Sequence, residues 1–230
     1  LQCFKKPFRM SVKNRNSIVT DGLVFCVDAG NEDSYPGSGN SAYDLVNRTT
    51  LPLVAQASHS TDNGGTFVFD GTDDYIGGVD LGITFSDITF SCWVKRNGSQ
   101  TDYTGLLISR PNVSGIGIMQ TGRIWPMWNG GIYSHNSNLF IPDGQWAMVT
   151  VTFGSGTVNF YMNTTSSTPS TGTSTTYSGT TTLGDLKIGI DEHNAARSIN
   201  GNIACASIYG RALSASEITQ NYNALKNRFI

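Results

Sequence analysis

The stretch "TFVFDGTDDYI", residues 66–76, sets Asp70, Asp73 and Asp74 within five consecutive positions. Carboxylates at that density can hold a hard cation, because calcium takes roughly six to eight oxygens and mixes side-chain carboxylates with loop carbonyls. Asp70 is the best single ligand of the three, and Asp28, in "FCVDAG", is a distant candidate for the same calcium ion. The same letters also spell a corner. Asp-Gly is a tight-turn pair, and an aspartate there bonds its own backbone. The spacing is not that of an EF-hand loop. The scaffold reading comes first, calcium second, and catalysis by these groups is not expected.

A second group lies in "GRIWPMWNGGIYSH", residues 122–135, which offers Trp125, Trp128, Tyr133 and His135 with Asn129 as a polar neighbour. Such a set suits a carbohydrate, since a flat ring stacks on the C–H face of a sugar while amides read its hydroxyls. The competing reading has Trp125 or Trp128 filling the core, because tryptophan is highly buried on average. Trp93 and Trp146 sit in regular strand patterns and are expected in the core or between sheets.

Other chemistries find little support. No G-x-S-x-G is present, and His59, His135 and His193 each lack a motif partner, so a serine nucleophile would have no base. No Walker A or G-x-G-x-x-G motif offers a phosphate cradle. The four cysteines, Cys3, Cys26, Cys92 and Cys205, form no C-x-x-C pair, which removes the zinc and thioredoxin-like readings. In "ITFSCWVK" Cys92 alternates onto one face with Ile88, Phe90 and Val94, as a small buried hydrophobe does. That use fits a reducing cytoplasm. A net charge of −2 points away from nucleic acid. No apolar run approaches the roughly 18 residues of a membrane span, and the basic start "LQCFKKPFRMSVKNRNSIV" has no apolar signal-peptide region.

The elements that must position these residues read as strands. Charged residues make up 14% of the chain, against roughly 25% in an ordinary soluble domain. Gly, Ser, Thr and Asn are abundant, which favours strands and turns. Residues 1–18 are polar and basic and read as an arm, with Lys5, Lys6 and Arg9 able to meet an acidic partner surface. Residues 19–230 read as one domain. Strand patterns follow in "GLVFCVDAG", "TFVFD", "ITFSCWVKR", "TGLLISR", "GIGIMQ", "GRIWPMW", "QWAMVTVTF", "TVNFYMN", "LKIGI" and "GNIACASIYG". Pro126 predicts an edge or a bulge, and "GSG" between two of the strands predicts a hairpin turn. Residues 164–182, with fifteen Ser or Thr in nineteen positions, predict a long loop or exposed strands. One helix is expected, over 214–227. Ser214 and Glu217 form its capping box, Leu213 and Ile218 its staple, and Ile218, Tyr222 and Leu225 an apolar stripe that should dock on the sheets. The fold class is all-β, a two-sheet antiparallel sandwich with one short C-terminal helix.

In this order, "DGLVFCVDAGNEDSYPGSG", "FVFDGTDDYI", "ITFSCWVKR", "QWAMVTVTF", "LKIGIDE" and "INGNIACASIYGRALSASEITQNYNA" resemble the laminin-G-like, concanavalin-A-like jelly-roll family over roughly residues 19–226. The resemblance implies two sheets, one concave, with loops at a rim where relatives often hold calcium. It does not itself supply a function, because the fold serves lectins, glycanases, adhesion modules and capsid parts alike. Glycanases on this fold often carry E-x-D-x-E or E-x-D-x-x-E on one strand, and neither spacing occurs here. Asp191 and Glu192, the acids a remote glycanase would need, are adjacent and not alternating.

The opening "SIVTDGLVFCVDAGNEDSYPGSG" is similar to the start of single-domain versions found in tailed phages and related marine viruses, where they serve as virion structural proteins. Chains of that group usually start near Met10, so residues 1–9 depart from the pattern. The likeness implies a non-enzymatic virion protein made in the host cytoplasm, a capsid decoration or tail appendage. Its partners would be other virion proteins and copies of itself. The alternative is a host-attachment module that binds a cell-surface glycan through the Trp125–His135 segment. Neither nucleic acid nor membrane is expected as a partner.

Overall fold

The computed structural model describes residues 17–110, 112–130, 135–163, 170–193 and 197–230. In chain order the first strands are β1 (Leu23–Asp28), β2 (Ser41–Tyr43), β3 (Thr50–Val54), β4 (Ser58–Ser60), β5 (Thr66–Asp70) and β6 (Tyr75–Val79). Next come β7 (Ile83–Phe85), β8 (Ile88–Arg96), β9 (Thr104–Ser109), β10 (Ser114–Ile118), β11 (Ile124–Met127) and β12 (Trp146–Gly154). The last are β13 (Thr157–Asn163), β14 (Ser170–Thr171), β15 (Thr175–Thr176), β16 (Thr181–Leu183), β17 (Leu186–Ile188) and β18 (Asn200–Tyr209), followed by helix α1 (Ala215–Leu225).

These strands pair antiparallel into two principal sheets. The nine-stranded sheet runs β14-β13-β12-β8-β18-β5-β4, with β1 also beside β18 and β15 beside β13. The seven-stranded sheet runs β11-β10-β9-β17-β6-β3-β2, and β7 and β16 form a separate ribbon. The architecture is the expected jelly-roll sandwich. Pro126 lies on β11, an edge of the seven-stranded sheet, where a missing N–H interrupts no central ladder. The predicted "GSG" hairpin joins β12 to β13. Ser155 and Gly156 take φ of 49° and 77°, the positive values that a two-residue I′ turn needs.

Period-two alternation decides what each sheet buries. On β8, Ile88, Phe90, Cys92 and Val94 point inward and meet Leu107, Ile116, Ile124 and Ile188 of the other sheet in one core. Cys92 is buried and free, as are Cys26 and Cys205.

The opposite face of the nine-stranded sheet carries a second layer. Trp93, Trp146, Met148 and Tyr209 pack there under Ile218, Tyr222, Leu225 and Phe229 of the C-terminal segment. The Trp93 indole stacks on both Tyr222 and Phe229, with centroids at 5.5 and 4.3 Å. Trp93 and Trp146 are therefore buried, but beneath the helix and not between the sheets. The apolar stripe of α1 docks as its spacing predicts. Its cap is also the predicted one: the Ser214 hydroxyl accepts from the Glu217 N–H, and the Glu217 carboxylate accepts from the Ser214 N–H at 2.8 Å. Ile18 is buried in the same layer and the Val19 N–H donates to Asn221 Oδ1 at 2.8 Å, so packing begins before residue 19. Residues 1–16 lie outside the described residues.

Candidate ligand-binding site

The three aspartates of the opening motif do converge. One ligand oxygen from each of Asp70, Asp73 and Asp74 lies within 4.8 Å of the others. Their bonding, however, is that of a corner. Asp74 is buried, and its two oxygens accept from the backbone N–H groups of Gln56 (2.7 Å) and Asp70 (2.9 Å). Asp70 Oδ1 accepts from the Thr72 N–H at 2.7 Å, closing an Asx turn around Gly71. Gly71 has φ +85°, and a Cβ there would come within 2.9 Å of Asn200 Cβ, so the turn is pressed against β18. Asp70 and Asp73 keep exposed carboxylates. Asp28 is not part of this cluster. Its carboxylate pairs with Arg228 at 2.7 Å and accepts from the Gly30 N–H at 2.9 Å, which makes it an anchor for the C-terminal segment and no ligand to the same ion.

The aromatic segment does not form one platform. Residues 125 and 128 are an odd number apart, and alternation sends them to opposite faces. Trp128 goes inward, 3% exposed, stacked on Phe153 at 4.7 Å, with its Nε1 donating to the Ser178 carbonyl at 2.8 Å. It is a core residue and presents no ring to a ligand. Asn129 has φ 44° and occupies a turn, its N–H donating to Ser114 Oγ. His135 stacks on Phe160 at 5.1 Å and its Nε2 lies 2.8 Å from the Thr173 carbonyl. Tyr133 lies outside the described residues.

Trp125 is different. With Ile108 and Met127 it forms a small apolar cluster separate from the core, on the outer face of β9, β10 and β11. Gly117 of β10 makes the cluster possible, since a Cβ there would come within 2.7 Å of Met127 Cε and 3.5 Å of Trp125 Cε3. Tyr103 meets the indole edge to face at 4.7 Å. Trp125 is itself 2% exposed, so it is the half-buried Tyr103 ring that this group presents to an open pocket of about 390 Å³.

The head of this pocket is ionic. Asp191, 2% exposed, sits between two guanidiniums, Arg110 on Oδ1 and Arg197 on Oδ2 at 2.9 Å. Arg197 also lies over the Tyr103 ring at 4.8 Å, which ties the charged head to the aromatic floor. His193 stands at the mouth, exposed. On neighbouring β17, Lys187 bonds the Asp185 carboxylate (2.6 Å) and Glu192, and rests over Tyr75 at 5.4 Å. Burial works to lower the pKa of this ammonium, but the bonds to Asp185 and Glu192 more than offset it, and the net shift is upward.

This geometry suits recognition better than bond cleavage. Glycoside hydrolysis needs two carboxyl groups across a cleft, one of them able to carry and give up a proton. Here both oxygens of Asp191 are held by arginines, and Glu192 is held by Lys187. What the pocket offers is the Tyr103 ring, with Arg197 over it, and the partly exposed flanks of two guanidiniums paired with Asp191. Tyr103, Arg110 and Arg197 were not singled out in the sequence. Tyr103 and Arg110 flank the two ends of β9, and the pairing of β17 beside β9 brings the segment that carries Asp191 and Arg197 to them.

The family model of the concanavalin A-like lectin/glucanases superfamily matches residues 70–219. Among solved structures, domain 4 of AbnA, a GH43 extracellular arabinanase from Geobacillus stearothermophilus in complex with arabinotriose, aligns with a TM-score of 0.66 and 18% identity, covering 86% of this chain and 97% of that one. Trypanosoma rangeli sialidase in complex with sialic acid aligns at 0.64 and 14% identity, over 92% of this chain but 34% of the sialidase. The binding domain of botulinum neurotoxin serotype G aligns at 0.61 and 16% identity, over 87% of this chain and 50% of that one. Identities this low show the shared fold alone, and the chain spans only about a third of the sialidase. No curated protein matches in sequence. With the motif order, the two antiparallel sheets and the family match in agreement, the chain belongs to the laminin-G-like group of the concanavalin A-like lectin/glucanase superfamily.

Proposed function

We propose that this chain is a non-enzymatic carbohydrate-binding module that seats a glycan in the pocket lined by Tyr103, Arg110 and Arg197. The observation that carries the reading is the pocket itself: the half-buried Tyr103 ring beside polar groups, with its one buried carboxylate committed to two arginines. That arrangement fixes orientation and leaves Asp191, held on both oxygens, unavailable as a proton donor. The sugars in two of the fold neighbours, arabinotriose and sialic acid, are in keeping with it.

Isothermal titration of the protein against a glycan panel tests this reading. Binding should be lost in Tyr103→Ala, a half-buried ring whose loss leaves the core untouched, and weakened in Arg197→Gln. A panel in which nothing binds, or binding that survives both changes, would overturn the proposal.

A virion location is the accompanying proposal, supported by the likeness of "SIVTDGLVFCVDAGNEDSYPGSG" to phage structural proteins. In that setting the module would decorate a capsid or tail through protein contacts, as one of several copies, with the pocket turned to host glycans. Mass spectrometry of purified particles tests it: a copy number matching the shell lattice means decoration, a handful of copies means a tail or fibre, and absence from particles rejects the location.

A further inference from the structure

We infer that Asn97 is a site of self-modification, where the Gly98 nitrogen attacks the Asn97 side chain with Asp143 as base and turns it into aspartate and isoaspartate. The site is separate from the Tyr103 pocket and stands or falls independently of it. Asn-Gly pairs favour this ring closure, because glycine has no Cβ to crowd the attacking nitrogen. The chain holds four such pairs, at Asn63, Asn97, Asn129 and Asn200, and the fold treats them differently.

An amide nitrogen attacks only as it loses its proton, so the partner of each glycine N–H matters. The Gly98 N–H donates to Asp143 Oδ1 at 2.6 Å, within reach of a carboxylate that can take the proton. The carbonyl of the same peptide, Asn97 O, accepts from Gln100 Nε2 at 3.2 Å, which draws charge from the nitrogen and favours its deprotonation. Arg96 holds the loop in place: its Nη1 donates to the Gly98 carbonyl at 2.6 Å and lies 3.4 Å from Asp143. Asn97 and Gly98 are exposed, so ammonia can leave and water can enter. The other pairs lack this arrangement. Both ends of the Asn63 amide are engaged, Oδ1 by Trp146 Nε1 and Nδ2 on the Arg228 carbonyl. Gly130 gives its N–H to the Val113 carbonyl, which is no base. Gly201 is set in the ladder between β5 and β8.

The Gly98 nitrogen bonds to Asn97 Cγ as its proton passes to Asp143. The Cγ–Nδ2 bond then breaks, and the proton leaves with that nitrogen as ammonia. Water opens the resulting succinimide at either carbonyl, giving aspartate or an isoaspartate whose backbone runs through Cβ and Cγ. Nothing is oxidised or reduced. Either product adds a negative charge beside Arg96 and Asp143, and isoaspartate also lengthens the link from β8 to β9 by a carbon. The change reaches β18, because the Asn97 N–H donates to the Asn200 carbonyl and Gln100 Oε1 accepts from the Asn200 N–H.

The test is peptide mapping by mass spectrometry of the full chain, aged at neutral pH either folded or unfolded in urea, with aspartate and isoaspartate products separated by chromatography. In urea the four pairs should convert at similar rates. In the folded protein Asn97 should lead the other three by about tenfold or more, and Asp143→Asn should slow it by about tenfold or more, as loss of a positioned base does. Asp143→Glu keeps the carboxylate and should keep part of the rate. The Asp143 side chain is 58% exposed, so its replacement leaves the core intact, and thermal melting confirms that each variant is folded. Faster conversion at any other pair in the folded protein overturns the inference. So does an Asp143→Asn variant that converts Asn97 as fast as the wild type.

Discussion

Asp74→Asn separates scaffold from metal site at the aspartate corner. The wild-type carboxylate is buried and accepts two backbone N–H bonds, from Gln56 and Asp70. Bonds to a charged acceptor contribute about 1.5–3 kcal/mol each, and a buried donor left without a partner costs about 1–3 kcal/mol. Asparagine has one oxygen. It can keep the Gln56 bond, but it then turns an NH₂ group toward the Asp70 N–H. The expected loss is about 2–4 kcal/mol, a large fraction of the roughly 5–15 kcal/mol that holds a domain together. For a chain of this size each kcal/mol moves Tm by about 2–4 °C, so the variant should melt about 5–15 °C lower. The assay is scanning calorimetry in excess calcium and again in a chelator. On the scaffold account, the loss is the same in both buffers and the wild-type Tm ignores the chelator. A variant that melts with the wild type refutes the reasoning. So does a wild-type protein that the chelator alone destabilises as much as the substitution does, with Asp70→Asn abolishing the calcium effect.

Two further outcomes follow from burial and charge. Trp128→Ala should lower stability by about 3–5 kcal/mol in urea unfolding, as removal of a fully packed aromatic does, because this ring sits on Phe153 inside the core. Unchanged stability would return Trp128 to the list of ligand-facing residues. Glu217 is held at about 2, first by its bond to Arg211 and then by the Ser214 N–H. A carboxylate lowered in the folded state adds stability that is complete above about pH 4.5 and drains away as pH falls toward 2. Glu217→Gln should therefore melt below the wild type at neutral pH and converge with it near pH 2. Parallel melting curves across that window would refute the pairing.

What could be read in the sequence was whatever a local rule determines. The alternation of Ile88, Phe90, Cys92 and Val94 placed them on one face because side chains in a strand can point only two ways. Ser214 and Glu217 announced the helix start because a cap is a contact between residues three apart. The Asp-Gly corner was legible for the same reason. The same alternation contains the division of Trp125 from Trp128, since an odd separation puts them on opposite faces, but proximity in sequence suggested one aromatic patch. The ionic head was out of reach. Arg110, Asp191 and Arg197 meet across separations of 81 and 6 residues, and nothing local to any of them signals the others. Asp28 misled for the converse reason: its partner, Arg228, is 200 residues away.

The helix-covered layer has a consequence for how the module can be mounted. Ser17 and Val19 are bonded to Gln220 and Asn221 in the middle of α1, and Ile18 and Phe229 share one buried layer, so the first and last parts of the described domain lie on the outer side of the nine-stranded sheet. The Trp125 pocket opens from the outer side of the other sheet. A tether at either end would thus leave through the back of the molecule, and whatever the domain is fixed to would hold the pocket side outward, toward solvent.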